Sequence, residues 1–207
     1  MKIAIGFKTT KNSWGGGNQF ANSLTIEALS LGYTVTNELK DNDIDIILLT
    51  DPRSFNKGVA FGSLDILFYL LFKNKNAIVV HRINECDERK RTRHMNRLLR
   101  WANYLADHTV LISNWLKELN IYERNKPSSV ILNGADKNIF NDSENNIWIK
   151  GNPLKIVTHH WSSNKMKGFD VYEKLDKLIT SASWKDKIEF TYIGNIPLGF
   201  NFQNTNV

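Results

Sequence analysis

KIAIGFKTTKNSWGGGNQFANSLTIEALSL, residues 2–31, joins a short apolar run to a helix-spaced one through a glycine-rich connection. Ile3, Ala4 and Ile5 lack the polar alternation of a half-solvated strand, which predicts a parallel strand covered on both faces. Phe20, Leu24, Ala28 and Leu31 recur at helical spacing and would press one stripe onto a sheet. Gly32 then accepts the left-handed conformation that ends helices. Gly15, Gly16 and Gly17 lie between the two elements, where backbone amides without a Cβ in the way can approach an anion such as phosphate. A bare loop is the other reading of the triplet. No GxGxxG follows the strand, because Phe7 to Trp14 intervene, and this argues against a nicotinamide dinucleotide site.

Beyond this unit the same alternation continues. Ile44 to Thr50 reads as a buried strand ended by Asp51 and Pro52, and Phe61 to Phe72 as a largely buried helix. Ala77 to Val80 is a further strand that runs into His81-Arg82-Ile83-Asn84-Glu85. A long basic helix is expected over Lys90 to Ala106, then a strand over Thr109 to Ile112. Ser113 or Asn114 would cap a helix through Leu119, and Ser129 to Leu132 is another strand. Strands alternating with helices predict an α/β fold with a Rossmann-like, doubly wound parallel sheet.

Asn141 to Pro153 has the Asn, Asp, Gly and Pro content of a linker. The pattern restarts beyond it, with a strand over Lys155 to Thr158, a loop over His159 to Lys167, a helix over Phe169 to Ile179 and a strand over Glu189 to Ile193. This predicts two domains, residues 1–145 and 154–207, with the second one βαβ unit long and expected to be incomplete. The edge of its Glu189 to Ile193 strand would then be unpaired, which favours self-association.

The chain has 207 residues, 42% of them hydrophobic, enough to bury a core. Its apolar runs fall short of the roughly 20 residues of a membrane span. The N-terminus has no signal-peptide pattern and Cys86 is the one cysteine, so a reduced, cytoplasmic protein is expected. A net charge of +6 favours anionic ligands or surfaces without choosing among nucleotide phosphates, acidic lipid and nucleic acid.

Four segments in order resemble the GT-B glycosyltransferases of family 4. They are the glycine-rich connection after the first strand, Ser113-Asn114-Trp115-Leu116, VILNGADKNIF at Val130 to Phe140, and KIVTHHWSSNKMKGFD at Lys155 to Asp170. The resemblance spans nearly the whole chain, and its most specific parts are Asn133-Gly134 followed by Asp136 and Phe140, and the Lys167-Gly168 pair opening a helix. It implies two Rossmann-like domains facing across a cleft and transfer of a sugar from a nucleotide-sugar donor to an acceptor, with retention of configuration. It implies no metal cofactor, because fixed cations and helix N-termini meet the departing diphosphate. Members carry an E-x7-E element later in the second domain, beyond Val207, so no catalytic glutamate is assignable and activity of this chain is in doubt. A non-catalytic binding protein on the same scaffold is the alternative.

The residues agree with that chemistry. Departure of a nucleoside diphosphate develops negative charge that must be stabilised. Lys167 stands just before a helix, so its ammonium and the helix amides can converge on the same phosphates, with Gly168 beside them. By the resemblance Lys167, Gly168 and the triplet Gly15 to Gly17 are the donor-phosphate residues. His81 follows the Ala77 to Val80 strand at the edge where open α/β sheets place ligands, and by the resemblance it is the catalytic candidate. Arg82, Asn84 and Glu85 are nearby for the sugar or acceptor.

Other motifs are weaker. Asp41-Asn42-Asp43 and Asp43-Ile44-Asp45 match the DxD of metal-dependent transferases but precede a strand instead of following one, so they read as a solvated turn. His159 and His160 are adjacent on a strand and point to opposite faces, which prevents them chelating one metal. Acids at Glu85, Asp87 and Glu88 would raise the Cys86 thiol pKa. Asn141-Asp142-Ser143 is a formal glycosylation acceptor. Arg89, Lys90, Arg91, Arg93, Arg97 and Arg100 form either a solvated face or a contact for anionic lipid or an acidic acceptor. Nucleic acid is not expected as a partner, because no stacking aromatics are interleaved.

Overall fold

The computed structural model describes residues 1–10, 15–136, 140–141 and 147–206. The chain divides into two units, Met1–Ala135 and Asp136–Val207, so the expected linker, Asn141 to Pro153, falls with the second unit. Lys137 to Ile139 of the Val130 to Phe140 motif lie outside the described residues, as do Asp142 and Ser143 of the glycosylation acceptor and the middle of the linker.

The first unit is an α/β domain with a Rossmann-like parallel sheet. Its strands are β1 (Lys2–Ile5), β2 (Thr34–Thr36), β3 (Ile46–Leu49), β4 (Ile78–Ile83), β5 (His108–Leu111) and β6 (Ser128–Val130), in the order β2-β1-β3-β4-β5-β6. Every neighbouring pair is parallel; Ile3 stands opposite Ile46 and Leu49 opposite His81. Helices α1 (Gly15–Ser30), α2 (Ser63–Phe72), α3 (Asp87–Lys90) and α4 (Met95–Asn103) make the crossovers. Ile66 and Tyr69 of α2 and Ala102 of α4 share a core cluster with Ile47, Leu49 and Val79. Both helices therefore cover one face, while Ala21 and Leu24 of α1 pack with Ile5 and Leu48. Full burial of each such aliphatic side chain contributes about 1.5 to 3 kcal/mol.

Several expectations are corrected. The long basic helix is broken: Arg91 takes a left-handed conformation (φ 52°), and Asp87 accepts bonds from the Thr92 hydroxyl and the Met95 and Asn96 amides. One carboxylate thus ends α3's turn and caps α4. Asn114–Glu118 forms a 3-10 turn in place of an α-helix, and Ser113 gives it no side-chain cap. Leu31 is exposed and lies past the end of α1, so the stripe predicted for that helix stops at Ala28. Strand β2 was not expected; it is short and polar and bonds only to β1. Helix α2 is buried only along Ile66 and Tyr69.

The second unit pairs β7 (Leu154–His160) with β8 (Ile188–Gly194) in parallel, connected through a 3-10 turn (Lys165–Lys167) and α5 (Phe169–Leu178). Phe169, Tyr172, Phe190, Tyr192, Phe200 and Phe202 form its aromatic core, with ring centroids 4.9 to 6.1 Å apart. The edge of β8 is not wholly unpaired, as the Tyr192 amide donates to the Asn206 carbonyl at 2.9 Å. Asp176 holds the same tail through the Gln203 and Asn204 amides at 2.9 and 3.0 Å.

Candidate functional site

The strand order reverses direction between β1 and β3, the position at which open α/β sheets hold ligands beyond their carboxyl ends. These ends are tied together. The Gly6 amide donates to the Leu48 carbonyl at 2.9 Å, and the Thr50 hydroxyl donates to the Gly6 carbonyl at 2.8 Å. Gly15 to Gly17 are not a free loop here; they are the first turn of α1, with Gly15 at φ 59°. A Cβ on Gly17 would meet the Phe7 ring at 3.1 Å, whereas one on Gly16 would meet nothing within 4 Å. Packing explains Gly17, and Gly16 stays open for an incoming group. The buried Asn18 side chain bonds the Thr10 amide and carbonyl at 2.8 and 2.9 Å, fixing the chain after β1 against this turn.

His81 does not follow a strand end. It lies inside β4, fully buried against α4. The Asn103 side-chain oxygen accepts the Glu123 amide at 2.7 Å, so the Asn103 amide nitrogen is the donor to Thr109 at 2.8 Å and to His81 Nδ1 at 3.1 Å. Nδ1 is therefore an acceptor and the ring proton sits on Nε2. Nε2 finds no hydrogen-bond partner among the described residues. Burial pushes the His81 pKa down to about 3, against an opposing pull from the Asp51 charge. The ring is neutral and offers an N–H, which makes it a hydrogen-bond donor and not a proton acceptor.

Arg82 points to the opposite face of the sheet. Its guanidinium lies 3.7 Å from the Phe20 ring centroid and donates to Asn133 Oδ1 at 2.8 Å. Burial lowers its pKa to about 10. Asn84 uses its carbonyl to accept from Arg89. Glu85 pairs with Lys90 at 3.0 Å and stands 3.9 Å from Arg53, whose guanidinium also grips Asp51 at 2.6 Å. Burial pushes the Asp51 carboxyl up, but Arg53 and Asn56 outweigh it and hold the group below the usual range. Asp51 and Arg53, at the end of β3, were not singled out from the sequence; an Asp-Pro after an apolar strand was the available signal.

In the second unit, Lys167 is exposed and Gly168 adopts φ 96° at the start of α5. The Val171 and Tyr172 amides donate to the Gly168 carbonyl at 2.9 and 3.0 Å, while the Phe169 and Asp170 amides ahead of them have no intrahelical acceptor and Gly168 supplies no side-chain cap. His160 ends β7 and its Nε2 lies 2.7 Å from the Tyr172 hydroxyl. Burial lowers the His160 pKa first, and the Lys167 charge lowers it further, so the ammonium is within electrostatic reach of the ring. His159 is exposed and His160 half-buried, on opposite faces of β7 as expected.

The DxD segments lie at the amino ends of the strands. Asp41 and Asp43 hold the Lys2 ammonium at 2.6 and 2.9 Å, and Asp45 accepts the Lys2 amide. Burial raises the Cys86 thiol pKa, with Glu88 adding to it. The described residues contain no cluster of three metal-ligating side chains and no helix long and apolar enough to cross a membrane. The sequence matches no protein-family model and no curated protein.

Proposed function

We propose that this chain is a glycosyltransferase of GT-B type, similar to family 4, which takes a sugar from a nucleotide-sugar donor. The observation that carries the reading is the start of α5: an exposed Lys167, a left-handed Gly168 and uncapped Phe169 and Asp170 amides after the parallel strand β7 and its 3-10 turn. A departing diphosphate needs fixed positive charge, and this arrangement offers an ammonium and a helix N-terminus together. In this reading Lys167, Gly168 and the α5 amides receive the donor diphosphate. Within the first unit, Gly16 at the β1 to α1 turn leaves room for a phosphate contact.

His81 is proposed as a neutral N–H donor, not a general base, because its Nδ1 is engaged by Asn103. Arg82, Asn84 and Glu85 surround the end of β4, where sugar or acceptor hydroxyls would be met. Amide NMR of the labelled chain titrated with a nucleoside diphosphate, with and without EDTA, tests the reading. The expected shifts concentrate at Gly168 to Val171, with any others at Gly15 to Gly17, and persist in EDTA; no shift at the start of α5 contradicts it.

A further inference from the structure

Beyond Ser63 and Asp65 in its first turn, helix α2, SLDILFYLLF, is apolar on both sides. Ile66 and Tyr69 face the sheet, and the outward arc carries Leu64 (61% exposed), Phe68 (58%), Leu71 (64%) and Phe72 (77%). The Phe68 and Phe72 rings lie stacked with centroids 6.2 Å apart. A helix apolar all round is ordinarily covered by protein or lipid. On the same face of the sheet, α4 turns Arg97, Trp101 and Tyr104 outward, one above the other at helical spacing. From Arg89 to Arg100 the chain has six Lys and Arg residues and no Asp or Glu. Lys90 is engaged by Glu85, Arg89 by the Asn84 carbonyl and Arg100 by Glu123. Arg91, Arg93 and Arg97 are exposed, and no ion pair among the described residues engages them.

We propose that the outward faces of α2 and α4 dock on the headgroup layer of an anionic lipid bilayer. The apolar arc of α2 would lie in the interface while Trp101 and Tyr104 sit at headgroup depth, with their polar edges wet. Arg91, Arg93 and Arg97 would meet lipid phosphates, each worth a modest gain at an anionic surface. At ten residues, α2 is about 15 Å long, so it lies on the membrane and does not span it. Charge selects lipid over a second copy of the chain. An isologous dimer through this face would set its unpaired arginines against those of the partner, with no carboxylate between residues 89 and 100 to offset them and the one carboxylate of α2, Asp65, engaged by the Gly62 amide at 2.8 Å.

The test is co-sedimentation of the full chain with phosphatidylglycerol-containing vesicles and with pure phosphatidylcholine vesicles, alongside light scattering for oligomeric state. The expected result is binding to the anionic vesicles only, weakened by salt. Phe68→Ser/Phe72→Ser should reduce it about tenfold or more, and Arg93→Gln/Arg97→Gln should reduce it without touching an apolar residue. Leu198→Ser, at a fully exposed apolar residue of the second unit, should leave it unchanged. Absence of vesicle binding overturns the proposal, and so does binding indifferent to both double variants. A dimer that Phe68→Ser/Phe72→Ser dissolves, in a chain that ignores vesicles, assigns the face to a second copy instead.

Discussion

Asn103 donates to His81 Nδ1 across 3.1 Å inside the first unit, and that contact sets the tautomer of the histidine while burial sets its charge. Burial holds the folded-state pKa at about 3, below the ordinary value of about 6.5. The unfolded chain therefore gains a proton as pH falls through 6.5 while the folded chain does not. The stabilisation is complete above pH 6.5 and is lost progressively as pH falls toward 3, reaching several kcal/mol in order of magnitude. Between pH 6.5 and 5 the carboxylates stay ionised, so histidines dominate the slope. His81→Gln should flatten stability against pH in that window, measured by urea unfolding; an unchanged slope would contradict the assignment.

The glycine triplet separates packing from ligand approach. Gly17→Ala drives a Cβ into the Phe7 ring and should destabilise the first unit by about 1 to 3 kcal/mol. Gly16→Ala meets open space and favours the helix, so thermal melts should show an unchanged or raised stability, up to about 1 kcal/mol. If Gly16 admits a phosphate, the same alanine should weaken nucleoside diphosphate binding while leaving the fold intact.

Gly168 is held at φ 96°, and a Cβ there would lie 3.3 Å from the Tyr172 ring. Gly168→Ala should cost roughly 1 to 2 kcal/mol in unfolding experiments and shift the start of α5. A neutral substitution would show that the left-handed turn is not required.

Strands β1 and β3 were legible as compact apolar runs between turn residues, and β5, β7 and β8 from their apolar middles, though β7 runs on through His159 and His160, which were expected to open a loop. Strand β4 extends through His81 and Arg82, polar residues that a hydrophobicity argument assigns to a loop but that the sheet buries on its two faces. The break at Arg91 was not legible, since an arginine-rich run reads as helix on either side and only the Asp87 contacts mark the stop. The triplet Gly15 to Gly17 reads as a loop by propensity, yet tertiary packing on Phe7 carries it into α1. Of the candidate site, Lys167 and Gly168 fall where the spacing places them, whereas the hydrogen-bond donor role of His81 depends on Asn103, Thr109 and Glu123, which no local pattern links to it.

The measurement that bears most directly on the proposed function is calorimetric titration of the chain and its Lys167→Ala variant with a nucleoside diphosphate, each with and without EDTA. One charge-assisted phosphate contact contributes roughly 1.5 to 3 kcal/mol, so the variant should bind about tenfold to a hundredfold more weakly, with EDTA making no difference. Absence of binding, or metal-dependent binding that ignores the Lys167 substitution, would contradict the assignment of the α5 N-terminus to a donor diphosphate.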